Sequence, residues 1–249
     1  MTMDRDELLR YLDDYLEVGN FDDMAPNGLQ IEGRPEIQKI VGGVSISERL
    51  VKEAIQREAD AVLVHHGLFW KRDPHPYRIT GIRKRRISLL LKADMNLIAY
   101  HLPLDAHPEV GNNIQILKGL NIPALEAMEI GYVGYARKYL ELEDLVIRLN
   151  DLLDTEAQVF AFGKEHVEKI LVVSGSSSAA CEKAAELGID TFIGGDMREE
   201  QVRICEELGL NFVAAGHYNS EKLGVQALLT HIQEKFGIQT EFVDIPNPV

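Results

Sequence analysis

The chain is 249 residues long and 45% apolar, and its 40 acidic and 26 basic residues give a formal net charge of −14. That length allows one large domain or two of ordinary size, and the acid excess argues against tight nonspecific binding to nucleic acid. No run of roughly 18 apolar residues predicts a membrane span, two cysteines make no disulfide framework, and a reducing cytoplasm is the expected home.

The first predicted element is an amphipathic helix. Asp4 and Glu7 have the spacing of a capping pair, and Leu8, Leu9, Leu12, Tyr15 and Leu16 form its apolar face. Acids this early, with no long apolar stretch, do not read as a secretory signal. From Lys39, KIVGGVSISERLVKEAIQREADAVLVHHG reads as strand, turn, helix and second strand, with Ser45 and Glu48 spaced as a capping box. The second strand ends on His65 and His66. Adjacent strand residues point to opposite faces, so the two rings are expected to diverge.

RITGIRKRR, 78–86, is the one basic cluster, and a solvated helix face is its default reading over an anion contact. LKADMNLIAYH then gives a helix end and a short strand closing at His101. A second series starts near MEIGYVGYARKYLELEDLVIRLNDLL, read as a strand followed by a helix. KILVVSGSSSAACEKAAELGIDTFIGGDM, from Lys169, repeats the segment from Lys39 without a gap at an offset of 130, and CEELGLNFVAAGH repeats the strand that ends at a histidine. Within it, SGSSS, 174–178, reads as a strand-to-helix turn with a serine cap rather than a phosphate cradle. Asp196 takes the repeat position of His66 and is a weaker candidate. A last helix at about 219–236 and a strand at 240–243 close the chain.

Strands alternating with helices predict an α/β fold of two similar α/β/α lobes, produced by duplication, with mainly parallel sheets. The first lobe is expected over 1–125, with 217–249 packing back on it, and the second over 126–216. In open α/β sheets ligands bind at the carboxyl ends of strands. Those ends carry His65-His66, His101 with Asp105, and His217 with Glu221. Imidazoles with carboxylates suit Zn, Fe, Mn or Ni. Two diverging imidazoles suit two ions about 3.5–4 Å apart, with Glu221 bridging and Asp105 and His217 closing opposite sides. His75, His107, His166 and His231 read as loop or surface residues, and Phe69 and Trp70 as packing.

VHHGLFW, YHLPLDAHPEVGNN and AGHYNSEKLG, in this order and with PNGLQIEG at 26–33, resemble the NIF-three-like family of dinuclear metal proteins, often labelled GTP cyclohydrolase I type 2 homologs. The resemblance spans nearly the whole chain. It implies that His65, His66, Asp105, His217 and Glu221 ligate two divalent ions, that His101 either supports those ligands from outside or transfers a proton near them, and that the subunits form a toroidal homohexamer. It also places PNGLQ near the metal site, where Asn27 and Gln30 would orient substrate; a plain turn on Pro26 and Gly28 is the other reading. The expected activity is hydrolysis of a small nucleotide-like or heterocyclic molecule, opening of the guanine ring of GTP being what the label implies. A metal storage, delivery or regulatory protein is the alternative, and a metal that staples the lobes a third.

Overall fold

The computed structural model describes residues 1–249. The chain divides into two units, Met1–Leu104 with Val225–Ile245, and Asp105–Gly224 with Pro246–Val249. The boundary therefore falls after Leu104, not near 125, and residues 217–224 stay with the second unit. Helix Lys222–Phe236 begins in the second unit and continues in the first. No helix is long and apolar enough to cross a membrane.

The first unit holds a five-stranded sheet. In spatial order its strands are Gln239–Phe242, Lys39–Ser45, Ala61–His66, Asn96–Ala99 and Gly28–Ile31. The first four are parallel and the last is antiparallel. Helices cover both faces, as two successive glycines show. A Cβ on Gly42 would lie 2.4 Å from Leu229 Cδ1, and one on Gly43 would lie 2.8 Å from Leu50 Cδ2. Helices Lys222–Phe236 and Glu48–Gln56 thus press on opposite sides of one strand, which alternates as strands must. Asp4 caps the first helix by accepting from Glu7 N at 2.9 Å. The second helix is capped by Ser47, whose Oγ accepts from Leu50 N at 3.1 Å. Ser45 is instead the last residue of the strand.

The second unit holds a six-stranded sheet in the order Ala124–Ala127, Tyr132–Tyr135, Lys169–Val173, Thr191–Gly194, Asn211–Ala214 and Gln158–Phe160. Strands Lys169–Val173, Thr191–Gly194 and Asn211–Ala214 pair in parallel, and the pairings outside them are antiparallel. Alternation sorts the core by face. Ile170, Val172, Ile193 and Val213 join Leu145 and Leu149 of helix Leu142–Leu153. Leu171, Phe192 and Phe212 join Cys181 and Cys205, both free and buried, on the other side.

Matching hydrogen bonds confirm the duplication. The Asp60 carboxylate accepts from the backbone N–H of Gln38 and Lys39, and that of Asp190 from Glu168 and Lys169. Asn96 accepts from Gly33 N and donates to Arg34 O; Asn211 accepts from Gly163 N and donates to Lys164 O. Ala61 pairs with Asn96 as Thr191 pairs with Asn211. Counting on from the two asparagines sets His101 opposite Gly216, so His217 lies one residue beyond its expected equivalent. Gly216 takes up the extra residue at φ 87°.

Candidate metal centre

In the first unit, strand Ala61–His66 delivers both histidines at its carboxyl end, His65 fully buried and His66 half-buried. The rings do not diverge. Their centroids are 4.6 Å apart, and each lies within 5.6 Å of the His101 ring. His65, His66 and His101 each offer a ligand atom within 4.8 Å of the others, a group that could hold a metal ion. The strand ends at His66, which still pairs with Ser45 in the ladder, and both imidazoles gather with His101 at that end. Gly67 follows because a Cβ would strike the Gln30 side chain at 2.2 Å.

Hydrogen bonds orient each ring. His65 Nδ1 lies 2.9 Å from Tyr100 O. A carbonyl only accepts, so Nδ1 carries the proton and Nε2 is the basic nitrogen. His66 Nδ1 pairs with Ser45 Oγ at 2.9 Å. His101 Nδ1 meets Asp23 Oδ1 at 2.7 Å, and the buried Asp23 also accepts from Ala25 N, Asn27 Nδ2 and Leu102 N. Burial pushes the Asp23 carboxyl up, but His101, Asn27 and the Ala25 amide outweigh it and hold the group well below the usual carboxylate range.

The loop PNGLQ serves as a brace. Asn27 Oδ1 accepts from His101 N, and Gln30 accepts from Leu68 N while donating to Pro26 O. Trp70 stands edge-on to His101, with ring centroids 5.2 Å apart, and walls the group. In the basic cluster, Arg83 pairs with a largely covered Asp73 and Arg85 with Glu48, and burial pushes the Arg86 guanidinium down, so the face is solvated only in part.

In the second unit, Asp105 lies in the short helix Leu102–Ala106 and is buried. Its Oδ1 accepts from Asn112 Nδ2 at 2.8 Å and from Ser174 Oγ at 2.9 Å. His217 sits between two carboxylates: Nδ1 is 3.1 Å from Asp196 Oδ2, and Nε2 is 3.3 Å from Glu221 Oε1. Glu221 first, then Asp196, push His217 up to about 9 against the cost of burial. SGSSS is no helix cap: Ser177 Oγ donates to Val173 O, and Ser178 Oγ accepts from Arg198 N. Its Gly175, at φ 63°, packs where a Cβ would lie 2.4 Å from Glu221 Oε1.

Sequence reasoning missed Asp23, Ser45, Asn112 and Ser174, and gave too little weight to Asp196. The partners of Asp23 and Ser174 lie 78 and 69 residues away, so no local spacing marks them. His107, read as a surface residue, is buried and accepts from the amides of Glu109 and Val110.

Residues 3–248 match the family described as Duf34/NIF3 (NGG1p interacting factor 3). The chain is 41% identical to a GTP cyclohydrolase 1 type 2 homolog of Allochromatium vinosum, across 100% of this chain and 98% of that one. It is 40% identical to the protein of the same description from Yersinia pestis, across 97% and 98%. Among solved structures it resembles protein ybgI, described as of unknown function, with a TM-score of 0.94 at 36% identity over 99% of this chain and 100% of that one. TTHA1606 from Thermus thermophilus superposes with a TM-score of 0.89, also at 36% identity, over 99% and 100%.

Proposed function

This chain belongs to the Duf34/NIF3 family, and from that premise we propose that it is a dinuclear metal-dependent hydrolase of a small heterocyclic or nucleotide-like substrate. His65, His66, Asp105, His217 and Glu221 would hold two divalent cations per subunit. The observation that carries the reading is the gathering of His65, His66 and His101 ligand atoms within 4.8 Å of one another. The donor chemistry supports it. The Tyr100 carbonyl holds His65 with Nε2 basic, and Asp105 is anchored through one carboxylate oxygen by Asn112 and Ser174. Outer partners of this kind orient metal ligands. Imidazoles with carboxylates fit Zn, Fe, Mn or Ni.

Bound cations of this kind supply water activation near neutral pH and polarise a carbonyl or phosphoryl oxygen. The chain's own groups manage the proton and the geometry. His101, held through Nδ1 by the ionised Asp23, is the acceptor of a proton at Nε2. Asp196 steadies His217 from the side opposite Glu221. The description shared by the relatives points to hydrolytic opening of the guanine ring of GTP as the first reaction to try. A homohexamer in the cytoplasm completes the reading, and light scattering measures its mass.

The test joins metal analysis of the purified chain to turnover of GTP and cyclic amides with each of the four metals. About two ions per chain and turnover lost in His66→Ala support the proposal. No retained ion and no turnover with any metal overturn it. Ions that pass rapidly to a chelator, again without turnover, would mark a storage or delivery protein instead.

A further inference from the structure

Beside the three histidines the first unit has an open cavity of about 430 Å³, within the range of about 300–1,000 Å³ common for small-ligand sites. Phe21, Phe69, Trp70 and Tyr77 line it, with Asp22 and Lys71. The Trp70 ring faces this cavity and also neighbours His66 and His101, with centroids 5.7 and 5.2 Å away. Trp70 and Phe69 are half-buried, and Tyr77 is 50% exposed. Side chains that served only the core would be covered as Leu68 is. Arg72 lies over the Trp70 ring, 5.2 Å from its centroid, and four partly exposed aromatics around one hollow suit a flat ring, which gains from offset or edge stacking.

The polar groups narrow the class. Asp23 and Asn27 also line the cavity, but the Asp23 carboxylate accepts four hydrogen bonds and the Asn27 amide is committed to Asp23 and His101. That leaves Asp22 as acceptor and Lys71 as donor, paired with each other. Both are exposed, and such surface pairs are weak enough to open for a ligand. An N–H beside a C=O on the edge of a ring answers both at once. A phosphate would answer Lys71 and meet repulsion from Asp22.

We infer that this cavity binds a planar nitrogen heterocycle with an amide edge, stacked among Trp70, Phe69, Phe21 and Tyr77 and read at its rim by Asp22 and Lys71. The inference deepens the hydrolase reading and rests on it for the consequence alone: the stacked ring is held beside the histidines that would do the chemistry. Binding itself needs no metal.

Trp70 is the only tryptophan of the chain, so intrinsic fluorescence reports on this cavity directly. The full chain, stripped of metal, is titrated with guanosine, adenosine, ribose 5-phosphate and inorganic triphosphate. Guanosine should change the Trp70 emission saturably, adenosine should bind at least about fivefold more weakly because its edge offers the Asp22 carboxylate one N–H donor group where guanosine offers two, N1 and N2, and the two non-aromatic probes should do nothing. Tyr77→Ala and Asp22→Asn, both at exposed positions, should each weaken guanosine about fivefold or more with an unchanged circular dichroism spectrum. Three results overturn the inference: no saturable response to guanosine, equal affinity for guanosine and adenosine, or a response to triphosphate alone. Loss of metal binding or turnover with guanosine affinity intact counts against the hydrolase reading and leaves the subsite standing.

Discussion

His101 Nδ1 donates to Asp23 Oδ1 across 2.7 Å, joining two residues 78 positions apart. The second unit has a counterpart in His217 and Asp196 at 3.1 Å. In both, a carboxylate holds the Nδ1 side of a histidine that follows a sheet strand, which fixes the ring and makes Nε2 the reactive nitrogen.

Asp23→Ala should therefore disturb more than one bond. The buried carboxylate accepts from Ala25 N, Asn27 Nδ2, Leu102 N and His101 Nδ1. Removing it strands several donors, and the expected loss is about 2–4 kcal/mol. Asp23→Asn keeps the shape but not the charge, and should lose less stability. Urea unfolding of the two variants checks this order, and equal losses would show that the carboxylate charge, absent from both, matters and the shape that Asn keeps does not.

Gly175 makes a second test, because space and backbone both demand glycine. Its φ is 63°, and an added Cβ would lie 2.4 Å from Glu221 Oε1 and 3.4 Å from His217 Nε2. Gly175→Ala should cost about 1–3 kcal/mol in strain and displaced packing and weaken metal binding by moving Glu221. Calorimetric titration with Zn or Mn reads the second effect. Unchanged affinity would mean that Glu221 shifts freely or ligates nothing.

Much of this was legible in the chain. The 130-residue offset reappears as paired hydrogen bonds of Asp60 and Asp190, since burial and strand starts leave the same marks in both copies. The strand-end histidines and carboxylates stood out in the sequence because open α/β sheets bind ligands at strand ends. What escaped was set by tertiary packing. Ser45 and Ser47 both stand near a helix start, and only the end of the strand decides that Ser47 caps it while Ser45 binds His66. His65 and His66 were expected to part, yet their rings meet where the strand runs out. One extra residue before His217 was invisible until strand register aligned Asn96 with Asn211.

His217 predicts a pH dependence for the metal-free chain. Its folded value is pushed up to about 9 from an ordinary 6.5, chiefly by Glu221. A raised value means the folded state binds the proton more tightly. The contribution is therefore fully present below pH 6.5, fades as pH rises, and is lost above about 9. A shift of this size corresponds to at most about 3.5 kcal/mol, less what solvent screening removes. Urea unfolding at pH 6, 8 and 9.5 should show stability falling, with a shallower fall in His217→Gln. Parallel slopes in the two proteins would remove His217 as the source.

Ser174 offers the sharpest separation of a ligand from its support. Its Oγ donates to Asp105 Oδ1 at 2.9 Å, beside the Asn112 amide on the same oxygen. The hydroxyl adds no ligand of its own in the proposed centre; it sets the angle at which Asp105 is presented. Loss of such an outer partner typically costs about 10–100-fold in metal affinity. Ser174→Ala removes one hydrogen bond from a buried carboxylate and should weaken binding by that order, with a stability loss of only about 1–3 kcal/mol because Asn112 remains. Ser174→Thr keeps the hydroxyl and should restore most of the affinity. Asp105→Asn, which strikes the ligand itself, should lose far more binding than Ser174→Ala. If Ser174→Ala and Ser174→Thr bind metal alike, crowding at the site and not the hydroxyl governs Asp105, and its assignment as an oriented ligand fails.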